Sequence, residues 1–250
     1  VWTVFAPGHR PDITREADLI EEIVRIYGVD RIEPVVPPIA RPLDRAGRPE
    51  SAYAFRSRVK HWGRGLGLNE VINYSFTSHK ELDVFDPARP EAPGRISVMN
   101  PLSDEHNALR SLLAPGLLYT LRNNLAQGAS GVRVFEVAGA FTPDASSITS
   151  AREEQRLGLL FYGSRFDGGW PQSQADMDYQ DIKGVIEHLL RAFSLSAATF
   201  SLLEDTGLGW MAPCVSIFVG ERRIGFVGQV KPTTADPYHA KKPVWLAELN

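Results

Sequence analysis

The chain of 250 residues contains a single cysteine, Cys214. Neither a disulfide scaffold nor a cysteine-based zinc site can be built from one thiol, and the scarcity favours a cytoplasmic setting. No apolar run approaches the roughly 18 residues that a membrane span needs, and no charged-then-apolar leader opens the chain. Charge of one sign is also scarce: the formal net charge is −3 and the pI about 6.1, which excludes a wholesale basic coat for nucleic acid but not a local patch. The six histidines (9, 61, 79, 106, 188 and 239) are scattered, with no two at helical zinc spacing, and no nucleophilic triad can be assembled. What is present is enough apolar material, 43% of residues, for a real core in one large domain or two smaller ones. The chain opens on Val1, has its first methionine at Met99 and stops at Asn250 directly after a strand-like run, which suggests a piece of a longer protein.

The opening Val1–Phe5 alternates and is β-rich, so a strand is expected. Leu19, Ile20, Ile23, Val24 and Tyr27 then recur at helical spacing, predicting a helix over about 15–27 with Thr14 as N-cap and Gly28 as C-cap. Prolines 34, 37, 38, 42 and 49 mark a stiff linker, with a domain boundary near residue 42. A second helix is expected at 50–65, with Tyr53, Phe55, Val59, Trp62 and Leu66 on its apolar side. Strands are expected at 71–76, 96–99, 132–135, 157–162 and 244–249, a Pro-bearing loop at 86–94, and a hairpin from 215–219 and 224–230. Pro115 opens one further helix, and 181–193 forms another. Consecutive strands joined by short turns favour an α+β antiparallel sheet over repeated βαβ units.

Three constellations bear on chemistry. Gly63, Gly65 and Gly67 invite a phosphate-loop reading, but here a helix precedes the glycines and a strand follows, the reverse of a dinucleotide fingerprint. A helix C-terminus presents carbonyls to a phosphate, so a helix stop is preferred. Arg56, Arg58, Lys60 and Arg64 give the second helix a basic side that either contacts RNA phosphate or an acidic partner, or is simply solvated. Asp12 precedes the first helix, and Asp18, Glu21 and Glu22 share one of its faces. Four clustered carboxylates suit a hard cation such as Mg²⁺. They also suit a solvated helix face with Glu21 paired to Arg25.

Ordered strings then point to a family. Arg10-Pro11-Asp12-Ile13 and Glu16 to Gly28, followed by Gly67-Leu68-Asn69-Glu70-Val71-Ile72-Asn73-Tyr74-Ser75-Phe76, resemble the β subunit of bacterial phenylalanyl-tRNA synthetase. Asn100-Pro101-Leu102-Ser103, Leu109-Arg110-Ser111-Leu112-Leu113, Pro115-Gly116-Leu117-Leu118, Phe135-Glu136-Val137, Asp181-Ile182-Lys183-Gly184 and Ile224 to Gly228 continue the likeness in the same order. It spans essentially the whole chain. One departure is Trp210-Met211-Ala212-Pro213-Cys214, where the family often carries His-Pro-Gly.

The resemblance implies a partial winged-helix-like domain and Pro-rich linker at 1–42, and at 43–250 a catalytic-like domain, an inactive copy of the class II synthetase core. It implies a cytoplasmic α2β2 heterotetramer that attaches phenylalanine to tRNA(Phe) with ATP, the chemistry lying in the α subunit. It also implies a magnesium ion shared with the α subunit and held by Asp12, Asp18, Glu21 and Glu22, at the family's spacing. Class II synthetases grip the ATP α-phosphate with an arginine on a sheet strand, where charge develops. The corresponding strand here offers Glu136 instead, and Arg133 is out of phase with it, so no catalytic residue is expected in this chain. The alternatives are a free-standing RNA-binding module using the basic face at 56–64 and an independent class II-like ligase.

Overall fold

The structure is a computed structural model that describes residues 2–36, 50–85, 94–166, 170, 175–195, 198–202 and 208–250. It divides into two compact units, Val1–Pro49 and Glu50–Asn250. Most of the expected linker and of the 86–94 loop lie outside the described residues.

In the first unit, helix α1 (Glu16–Tyr27) ends at Gly28, whose φ of 103° is one that side-chain-bearing residues avoid. The helix falls where its apolar stripe predicts. It buries no residue, however: Ile23 is 66% exposed and Tyr27 57%. The expected strand at the start does not form. Residues 2–6 are irregular, and Trp2 and Phe5 are exposed. A β-rich run becomes a strand only when a neighbour takes its N–H and C=O groups, and no described strand lies beside it.

The second unit runs α2 (Ala52–Gly65), β1 (Asn69–Glu70), β2 (Phe76–Thr77), α3 (His79–Phe85), β3 (Ala108–Leu109), α4 (Ala114–Ala126), β4 (Gly131–Pro143), β5 (Ala151–Gly163), α5 (Tyr179–Ala192), β6 (Ala198–Leu202), β7 (Met211–Val219), β8 (Arg222–Val230), the single turn α6 (Pro232–Ala235) and β9 (Val244–Leu249). Seven strands form one sheet in the order β1-β4-β5-β9-β8-β7-β6. All neighbours are antiparallel except β1, which joins β4 in parallel through Asn69↔Val134 and Glu70↔Phe135. The α+β architecture with helices flanking a largely antiparallel sheet is therefore present, made mixed by this one short pairing.

Alternation along the strands splits the core between the two sheet faces. On one face Val132, Val134, Leu160 and Leu246 pack with Leu113, Leu117, Leu118 and Leu121 at and along α4. On the other Phe135, Leu159, Phe161 and Ala247 pack with Ile182, Ile186 and Leu190 of α5 and Val59 of α2. Strand β9 is buried throughout, which explains its apolar run, broken only by the buried Glu248. Helix α5 begins two residues before Asp181: Asp178 caps it, and Asp181 in turn accepts from the Asp178 N–H at 2.7 Å.

The expected strand at 71–76 is interrupted: Val71 N–H still donates to Phe135 O of β4 at 2.9 Å, but residues 71–75 lie outside any strand and only the last residue enters β2. The expected strand at 96–99 shrinks to one bridge, Ser97 to Ala108. The helix α3 and the edge strand β6 have no counterpart in the sequence reading. Among the described residues no helix is long and apolar enough to cross a membrane.

Candidate functional site

The acidic residues of the first unit are arranged by arginines. Arg10 donates from Nε to Asp12 Oδ1 at 3.0 Å and from Nη2 to Asp12 Oδ2 at 2.7 Å. The same Nη2 reaches Glu22 Oε1 at 2.6 Å. Arg25 Nη2 donates to the other oxygen of Glu22 at 2.5 Å. Arg25 therefore pairs with Glu22 and not, as its spacing suggested, with Glu21. These donors stabilise the ionised carboxylates. The guanidinium of Arg10, then that of Arg25, holds Glu22 down to about 2, and Arg10 holds Asp12 below the usual range.

Asp18 does something different. Its Oδ2 accepts from the backbone N–H of Thr14 at 2.8 Å and of Arg15 at 2.7 Å, satisfying donors at the helix start. These bonds, Thr14's first, also hold it below its usual range. The N-cap position is Arg15, one residue later than expected, because Asp18 rather than the Thr14 hydroxyl supplies the capping oxygen. Glu21 is exposed and makes no ion pair among the described residues. The structure thus brings Asp12 and Glu22 together through Arg10 and turns Asp18 toward the backbone. The hard-oxygen donor set matches Mg²⁺ chemistry, but among the described residues no three acids, histidines or cysteines converge on one point.

In the second unit the informative residue is Glu136, 1% exposed in the middle of β4. Its Oε1 accepts from Arg110 Nη1 at 2.9 Å and from the Asn73 backbone N–H at 3.1 Å, and its Oε2 from Asn73 Nδ2 at 2.8 Å. Arg110 also donates from Nε to Gly139 O at 2.9 Å, and Thr120 of α4 donates to Asn73 Oδ1 at 2.8 Å. This network explains the interrupted strand: Asn73 spends its N–H on a carboxylate. Sequence reading missed Arg110 and Asn73 as partners. The signal was a lone charge inside Leu109-Arg110-Ser111-Leu112-Leu113, since a guanidinium among buried leucines requires a buried acid. Arg133 lies on the opposite face of β4, where its Nη2 donates to Ser164 O at 3.1 Å and to Arg165 O.

The basic side of α2 is partly spent within the protein. Arg58 pairs with Glu50 at 2.8 Å and lies 4.9 Å over the Phe193 ring, and Lys60 pairs with Glu70 at 2.6 Å. The glycines at its end have packing and turn roles. A Cβ at Gly63 would stand 2.8 Å from the Phe135 ring, and Gly67 has a φ of 77°.

A largely antiparallel sheet with helices on both faces is a fold this chain shares with solved aminoacyl-tRNA synthetases. A pyrrolysyl-tRNA synthetase from Desulfitobacterium hafniense superposes with a TM-score of 0.63 at 13% identity, covering 99% of this chain and 80% of that one. At that identity the likeness is one of fold. Residues 34–250 match the phenylalanyl tRNA synthetase beta chain CLM domain, and residues 1–29 match the tRNA synthetase B5 domain. The chain belongs to the phenylalanyl-tRNA synthetase β-chain family. It is 55% identical over its whole length to a phenylalanine–tRNA ligase beta subunit of Oleidesulfovibrio alaskensis and 54% identical to one of Nitratidesulfovibrio vulgaris. It spans 30% and 31% of the length of those two relatives.

Proposed function

We propose that this chain is a non-catalytic part of a phenylalanine–tRNA ligase β chain, in which residues 1–42 belong to a winged-helix-like domain and linker and 43–250 to a catalytic-like domain. It supports an α subunit that attaches phenylalanine to tRNA(Phe) with ATP in a cytoplasmic α2β2 assembly. The observation that carries this reading is Glu136. On the strand where a class II synthetase presents an arginine to the α-phosphate, this chain presents a buried carboxylate neutralised by Arg110 and hydrogen-bonded by Asn73. No positive charge is left there for adenylate formation. The α4-facing side of β4 and β5 is filled by Leu113, Leu117, Leu118, Leu121 and Leu160. The partial neutralisation of Arg58 and Lys60 weighs against a free-standing RNA module. Phenylalanine-dependent pyrophosphate exchange should be absent from the purified chain alone; exchange above background refutes the supporting role.

The same reading assigns Asp12, Asp18, Glu21 and Glu22 to a magnesium ion shared with the α subunit. The ion would screen their mutual repulsion and bridge the two chains, with Arg10 released from Asp12 and Glu22. The Asp18→Ala, Glu22→Ala variant should weaken Mg²⁺-dependent association with the α subunit. Unchanged association would leave these acids as a solvated, arginine-paired helix face.

A further inference from the structure

Three oxidisable rings of the second unit stand in a row that leads from the core to the surface. Trp210, just before β7, is 2% exposed; Tyr238, in the turn after α6, is 8% exposed; Tyr119, on α4, is 39% exposed. Phe85, which closes α3, bridges the first two: its ring centroid lies 5.2 Å from that of Trp210 and 6.4 Å from that of Tyr238. The Tyr238 and Tyr119 rings meet edge to face at 5.4 Å. Packing alone accounts for rings at such distances. It does not require the partner that the Tyr238 hydroxyl has. That hydroxyl donates to Glu81 Oε1 at 3.0 Å, and Thr77 Oγ1 fixes the other oxygen of the same carboxylate at 2.6 Å. Burial pushes the Tyr238 and Tyr119 phenols up, so both keep their protons at neutral pH. A protonated phenol gives up an electron readily only when a positioned base takes its proton, and Glu81 stands where that base must be.

We propose that this row carries an oxidising equivalent out of the core, from Trp210 through Tyr238 to Tyr119, with Glu81 as the proton acceptor. A one-electron oxidant of the hydroxyl-radical class leaves a radical cation on Trp210. That ring regains one electron from Tyr238 and becomes neutral indole. Tyr238 loses its hydroxyl proton in the same step, and Glu81 takes it and becomes a neutral acid. Tyr119 then supplies an electron to the Tyr238 radical, Glu81 returns its proton to the Tyr238 oxygen, and the Tyr119 hydroxyl proton passes to solvent. A soluble thiol ends the sequence by giving a hydrogen atom to the Tyr119 radical, which leaves a thiyl radical. The path is independent of whether the chain supports an α subunit.

The test uses the whole chain. An ultraviolet flash ionises tryptophan, and transient absorption follows the conversion of indolyl to tyrosyl radical. A fast phase of conversion should be present, and it should be lost in both Trp210→Phe and Tyr238→Phe. Glu81→Gln keeps a hydrogen-bond acceptor but not the base, so it should slow that phase at least tenfold and change its solvent isotope effect. Tyr119→Phe should leave the phase intact and slow quenching of the tyrosyl radical by added thiol at least tenfold. 3,5-Difluorotyrosine placed at position 238 preserves the ring contacts, and a freeze-trapped radical should then show fluorine splitting in its EPR spectrum. The proposal is overturned if the fast phase survives in Trp210→Phe or Tyr238→Phe, if Glu81→Gln leaves its rate within twofold, if Tyr119→Phe leaves thiol quenching within twofold, or if the fluorine splitting is absent.

Discussion

Replacing Glu136 by alanine should destabilise the second unit more than any exposed substitution, and the structure fixes the reason. The change removes a carboxylate that is 1% exposed and strands Arg110, whose side chain is 5% exposed. Breaking a buried ion pair by removing one partner costs about 3–5 kcal/mol, mostly the penalty of the charge left behind. For a protein of 150–250 residues each kcal/mol lowers the melting temperature by about 2–4 °C, so a drop of about 6–20 °C is expected. Thermal unfolding followed by circular dichroism measures it. Glu136→Gln keeps an acceptor for Asn73 or Arg110 and should lose less. Replacing both partners, Glu136→Leu with Arg110→Met, leaves no uncompensated charge and should be milder than Glu136→Ala alone. Hydrogen exchange of the Asn73 amide should quicken in Glu136→Ala, because its acceptor is gone. A fall of less than about 2 °C for Glu136→Ala would refute the reasoning, as would a double variant whose loss equals the sum of the two single ones.

Three further outcomes follow from the geometry. Gly158→Ala would set a Cβ 2.8 Å from Leu117 Cδ1 and 3.2 Å from Leu113 Cβ; overpacking of this kind costs about 1–3 kcal/mol by urea unfolding. Ile186→Ala, at a fully buried position on α5, should cost about 2–5 kcal/mol with an unchanged m-value, and Ile186→Val about 0.5–1.5. Glu22 should titrate near 2 by carboxyl NMR, and Arg10→Ala should return it toward the usual glutamate range. Because its pKa is depressed in the folded state, the stability it contributes is present above the ordinary glutamate value and is lost as pH falls through about 2.

Periodicity located much of this fold. The stripes of α1, α2 and α5 and the apolar runs of β5 and β9 lie where they were read, within a few residues. The errors share a cause. Val1–Phe5 has strand composition but no described neighbour, and 71–76 has strand alternation but gives its central amide to Glu136. A five-residue strand such as β6 is stabilised by pairing with β7, which no local pattern reports.

The candidate site divides in the same way. Three carboxylates at helical spacing, with Asp12 just before them, were legible, because i, i+3 and i+4 relations are local. That Arg10 would lie between two of them, and that Asp18 would cap the helix, depends on how the preceding loop folds back. The sequence by itself determined which residues carry charge, where the helical stripes lie, and that no arginine stands on the β4 strand in phase with Glu136. Only the tertiary structure decided where each charge is neutralised. Glu136 meets Arg110 across 26 positions and Glu248 meets Arg156 across 92. A buried charge takes whichever partner the folded chain brings within hydrogen-bond reach, and sequence distance does not enter that choice.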